Sequence, residues 1–107
     1  MMNVIWSEKA AETVRDIAAY IQREFGEQTK AKFLSEIDAT VSVLVLNPKM
    51  GAKDPFLKDF SVELRSVRVN RLNRIVYYID GQRIVIASFS DNRRDPKKFA
   101  DDVELAD

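Results

Sequence analysis

The sequence predicts an α+β fold: a short N-terminal strand, then an antiparallel helix hairpin packed on a twisted, mainly antiparallel β-sheet, in the order β-α-α-β-β-β. Three observations predict it. Apolar residues recur at helical spacing from Ala10 to Phe25 and again from Phe33 to Val45, with Gly26 between the two stretches. Past residue 60 the pattern changes to three runs rich in β-branched and aromatic residues, SVELRSVRV, NRIVYYI and RIVIASF. Between the last two stands Asp80-Gly81, a strong two-residue hairpin signal.

Each element has its own local reason. Asn3 to Trp6 (NVIW) is a short β-prone run, and Ser7 after it can cap a helix through its hydroxyl. The first helix carries Ala10, Ala11, Val14, Ile17, Ala18, Ile21 and Phe25 on one stripe and stops at Gly26. The second starts near Thr29 and turns Phe33, Leu34, Ile37, Val41 and Val45 inward. Its end, TVSVLVL, is β-branched enough to read as a strand. The Phe33-Ile37-Val41-Leu44 spacing keeps it helical, and Asn47-Pro48 supplies the stop. Residues 47 to 60, with two prolines and a glycine, form a connecting loop. The whole of residues 1–107 reads as one domain without repeats.

Composition excludes several classes. Nearly half of the residues are apolar, so the chain can bury a core. No run of about 18 apolar residues is present, hence no membrane span, and the N-terminus does not resemble a secretory signal. Without cysteine there is no disulfide framework and no zinc-thiolate site; without histidine the usual neutral-pH base is missing. We expect a cytoplasmic protein that needs no cofactor and no metal.

Seventeen basic and seventeen acidic residues cancel, but unevenly. From Arg65 to Lys98 nine basic residues face only Asp80, Asp91 and Asp95. A basic face in a neutral protein is the footprint of an anionic partner. If Asn70 and Asn73 pair across a turn, Arg65 faces Tyr78, and Arg65 and Arg74 share one open side of the sheet with Arg83, Val85 and Phe89. The other side then carries Val62, Leu64, Ile75, Tyr77, Ile79, Ile84 and Ile86 and receives the helices, with Arg68 on that side near the turn. Arg65, Arg74 and Arg83 beside Tyr78 would form an anion cradle of guanidinium forks. Arg93, Arg94, Lys97 and Lys98 would close its rim. No glycine-rich phosphate loop, nucleophile elbow or His-carboxylate array accompanies them.

Taken in order, WSEKAAETVRDIAAYIQREFG, LNPKMG, ELRSVRVNRLNRIVYYID and IASFSDNRRDPKKF resemble the RelE/ParE-type toxins, the toxin halves of bacterial type II toxin–antitoxin modules, over residues 3 to 99. The resemblance implies the RelE/ParE-like fold, a cognate antitoxin as partner, and one of two activities. RelE-like members cut mRNA on the ribosome; ParE-like members poison DNA gyrase. The cutting branch places basic residues around the scissile phosphate, which assigns Arg65, Arg74 and Arg93, with Tyr78, to catalysis. Arg83, Arg94, Lys97 and Lys98 would bind RNA phosphates. Phe99 stands where that branch often has a tyrosine, leaving Tyr78, Asp91 or Asp95 to carry protons. The expectation is a ribosome-dependent mRNA endoribonuclease. The alternatives are a gyrase-directed inhibitor that does not cut RNA, and a decayed toxin that only binds its antitoxin.

Overall fold

A computed structural model describes residues 2–54 and 60–91 together with residues 103 and 105. Strand β1 (Asn3–Trp6) leads into α1 (Glu8–Phe25) and α2 (Glu27–Leu46), followed by β2 (Ala52–Lys53), β3 (Arg65–Arg68), β4 (Asn73–Asp80) and β5 (Arg83–Asp91). The five strands form one sheet in the order β1-β5-β4-β3-β2, in which β1 runs parallel to β5 and the other neighbours are antiparallel. None of its helices is long and apolar enough to cross a membrane among the described residues.

The helices follow local chemistry. The Ser7 hydroxyl accepts from the Ala10 N–H at 3.1 Å, satisfying one of the donors that a helix start leaves unpaired. Gly26, at φ 95°, makes the break between the helices, a conformation that other residues reach only with strain. α2 begins at Glu27, slightly before the expected Thr29, and stays helical through its β-branched end to Leu46. Phe33, Ile37 and Leu44 of α2 are buried with Ala10 and Ala18 of α1 against Ile75, Tyr77, Ile84, Ile86 and Phe89 of the sheet.

The connecting loop contains an unexpected strand, because Ala52 and Lys53 pair with Ser66 and Arg65. The run SVELRSVRV is strand only from Arg65 to Arg68.

The hairpin between β3 and β4 departs from its expected register by one residue. Val69 N–H donates to Asn73 O at 2.9 Å, and the Asn70 side-chain oxygen accepts from the N–H groups of Leu72 at 2.8 Å and Asn73 at 2.9 Å. Asn70 therefore lies inside the loop, where it organises a three-residue connection in place of the two-residue one. Changing the loop by one residue turns every β3 side chain to the opposite face. Arg65 faces Tyr77, Val67 faces Ile75, and Arg68 faces Arg74.

A second departure lies in β5. The register slips between Val76 and Tyr77, passing over Ala87, so that Ile75 faces Phe89. This bulge carries Phe89 into the helix-side core, where its ring meets Phe33 edge-on at 5.8 Å. The other face of the sheet is also covered. Leu64, Val76, Tyr78, Val85 and Ala87 form a second apolar cluster, with Phe60, Val62, Val103 and Leu105 packed on it. The open face expected from the sequence is thus a second core layer.

Candidate functional site

Arg65 and Arg74 do not converge. Arg65 sits opposite Tyr77, a member of the helix-side core, and so points to that side at the β2 edge of the sheet. Arg74 shares the far side with Arg68 and Ser90. The expected cradle required both on one face, and the three-residue loop is what separates them.

Each arginine has its own structural work. The Arg65 guanidinium donates to Gly51 O at 2.8 Å, to Lys49 O at 3.3 Å and to the Glu63 carboxylate at 3.0 Å, with its side chain only 15% exposed. Glu63 also meets Lys53 at 3.3 Å. The hydrogen bond from Lys53, with help from both cations, holds the exposed Glu63 carboxyl below its usual range. Arg74 lies 3.5 Å from the Asp54 carboxylate, and the Asp54 side chain is 3% exposed. Asp54 is fixed in turn by its own N–H, which donates to Leu64 O at 3.2 Å.

The other expected residues divide. Tyr78 is buried in the far-side cluster, where its ring acts as packing. Arg83 reaches the far side as expected, but pairs with Asp80 across the turn. Arg68 lies on the far side, opposite Arg74, and not on the helix side. Arg93, Arg94, Lys97 and Lys98 lie outside the described residues. On β5, next to Arg74 and Val76, the hydroxyls of Ser90 and Ser88 are buried with no hydrogen-bond partner among the described residues.

What the sheet does assemble is a clamp on residues 48–51. The Tyr77 hydroxyl donates to Pro48 O at 2.7 Å and accepts from the Gly51 N–H at 2.9 Å. Burial pushes the Tyr77 phenol above its ordinary pKa. A Cβ on Gly51 would stand 2.7 Å from the Tyr77 ring and 2.9 Å from Ser66 O, so this backbone approach needs glycine. Tyr77 appears in the sequence as a packing residue, which it is; its hydroxyl's partners lie 26 and 29 residues away and left no local signal. The glycine following Asn47-Pro48 was the one legible hint.

A separate open groove of about 620 Å³ lies between the helix hairpin and the β3–β4 turn, lined by Ile21, Phe33 and Leu72 with Lys32, Glu36 and Arg71. Neither Arg65 nor Arg74 lines it. Asn70 donates to Glu36 there at 3.2 Å, tying turn to helix.

Comparison with known proteins agrees with this architecture. A family described as the ParE toxin of the type II toxin–antitoxin system parDE matches residues 4–96. No curated protein matches the chain. Among solved structures, one described as a chromosomal ParDE toxin–antitoxin system from P. aeruginosa superposes with a TM-score of 0.68 at 22% identity, covering 85% of this chain and 96% of that one. The YoeB dimer from Staphylococcus aureus gives 0.57 at 23% identity, covering 83% and 94%. The heterotetrameric YoeB-YefM toxin–antitoxin complex from the same organism gives 0.56 at 22%, covering 84% and 95%.

Proposed function

Because the chain belongs to the ParE toxin family of type II toxin–antitoxin systems, we propose that it is a toxin that arrests growth by gripping a protein target, DNA gyrase, and not by cutting mRNA. One observation carries this reading: Arg65 and Arg74 point to opposite sides of the sheet, each engaged by the protein's own carbonyls or carboxylates. RNA cleavage by attack of a ribose 2′-hydroxyl needs preorganised cations around one phosphate, where charge gathers in the transition state. Two guanidinium groups on opposite faces cannot surround one phosphate. Tyr78 is buried in the far-side apolar cluster, and the chain has no histidine to carry protons in its place.

The cognate antitoxin is the second partner this reading assigns, as in the YoeB-YefM complex that shares the fold. Both meetings would take place in the cytoplasm.

The test is direct. The purified toxin should block plasmid supercoiling by gyrase, and its induction should provoke an SOS response while mRNA 5′ ends stay unchanged. In-frame cuts in ribosome-bound mRNA would overturn the proposal. They would restore the nuclease reading, at a site that does not bring Arg65 and Arg74 to one phosphate.

A further inference from the structure

We propose that the end of α2 and the turn after it form the surface with which the toxin meets its target, and that the target offers an apolar cleft rimmed by acidic side chains. Val43 is 48% exposed, Leu46 84% and Met50 40%, three large apolar side chains within eight residues at one corner of the fold. Nothing in the packing of α2 asks for them, since its buried residues are Phe33, Ile37 and Leu44. Leu46 and Met50 are joined by a turn in which Met50 N–H donates to Asn47 O at 3.0 Å. Apolar side chains clustered on a surface mark a place where another molecule binds.

The corner is built to stay in shape. Pro48 and Gly51 are bound to the Tyr77 hydroxyl, and Lys49 and Gly51 to the Arg65 guanidinium. Four hydrogen bonds from the sheet hold a four-residue segment whose own side chains Lys49 and Met50 face solvent. A loop fixed before binding loses little conformational freedom on binding, so more of the contact energy appears as affinity. This gives the clamp a purpose that catalysis does not.

Charge selects the partner. Lys49 lies within the clamped segment and Lys53 two residues past it, both exposed, with the Arg65 guanidinium bound to the segment's carbonyls. Between residues 43 and 54 the only acid is Asp54, which is buried against Arg74, and Glu63 is already shared by Lys53 and Arg65. Among the described residues the rim is therefore positive. Lysines would attract a nucleic acid equally well, but Leu46 and Met50 find no partner on a phosphate backbone. Apolar side chains with charge beside them are the pattern of a protein–protein interface.

The inference deepens the gyrase reading, and the experiment separates the two. Binding to purified gyrase and growth arrest on induction are measured for the wild type, Leu46→Asp, Met50→Glu and the pair Lys49→Glu/Lys53→Glu. Thermal melting checks the fold; Leu46 is so exposed that its melting temperature should not move. The apolar variants should lose at least tenfold in affinity and fail to arrest growth, and the lysine pair should slow association, most at low salt. Variants that bind and arrest like the wild type would overturn the surface. If the wild type itself leaves gyrase untouched, the gyrase reading falls and the surface is judged on growth arrest alone. Loss of arrest in a folded Leu46→Asp would then uphold it, and undiminished arrest would end it.

Discussion

The Tyr77 hydroxyl and the Gly51 amide meet at 2.9 Å, while the same hydroxyl donates to Pro48 O at 2.7 Å. One side-chain group thereby closes a loop onto the middle of the sheet. Tyr77→Phe removes both bonds and leaves a buried N–H without its acceptor. The expected cost is about 2 kcal/mol, the scale of an unsatisfied buried polar group. Gly51→Ala attacks the same contact sterically and should cost about 1–3 kcal/mol through overpacking. Chemical denaturation of both variants checks these values, and the Tyr77→Phe/Gly51→Ala double variant should lose less than the sum because the two changes act on one contact.

The same hydroxyl gives the protein an alkaline limit. Burial raises the Tyr77 pKa in the folded state above its ordinary value of 10.0. The unfolded chain therefore releases this proton first. Stability is complete below about pH 10, and falls as pH climbs from there through the raised folded value. An ionised phenolate could no longer donate to Pro48 O. Denaturation midpoints measured from pH 8 upward should fall steeply for the wild type beyond pH 10, and less steeply for Tyr77→Phe. Identical slopes would mean that the phenol does not sense its burial.

Asn70 sets which way β3 faces. Its side chain accepts from Leu72 and Asn73 and donates to Glu36, so Asn70→Ala should cost about 1–2 kcal/mol and loosen the turn. Hydrogen exchange at the Leu72 and Asn73 amides should accelerate, while amides in the middle of β4 and β5 keep their protection until the whole fold opens.

That residue also explains what the sequence could and could not disclose. The helices were legible because their apolar spacing is a local property, and the same held for Ile75, Tyr77, Ile84 and Ile86, whose alternation assigns them to the helix side without a partner. The face of Arg65 was not a local property. It depends on whether two or three residues turn the corner, and a single asparagine side chain decides that count. Phe89 was misplaced for a related reason, since the bulge at Ala87 shifts alternation by one. The Arg74–Asp54 pair and the Arg65 clamp join segments separated by many residues, and neither leaves a periodic trace. The fold was thus readable, while the arrangement of the candidate site rested on register.

The Arg74–Asp54 pair offers the sharpest division between the two activities. If Arg74 serves the fold, its removal takes a cation from a carboxylate that is 3% exposed, and Arg74→Ala should cost about 2–3 kcal/mol. Asp54→Ala should cost a similar amount, and the double variant less than both together, with a coupling of about 1 kcal/mol or more. Target binding per folded molecule should then be unchanged in all three, so that growth arrest falls only as far as the folded fraction does. A catalytic arginine behaves differently. Its loss would lower the rate of the folded molecule by about 2–4 kcal/mol of transition-state stabilisation, an effect that Asp54→Ala would not share. Growth arrest that follows the folded fraction in all three variants therefore assigns Arg74 to the fold, and arrest lost in Arg74→Ala but kept in an equally destabilised Asp54→Ala assigns it to the chemistry.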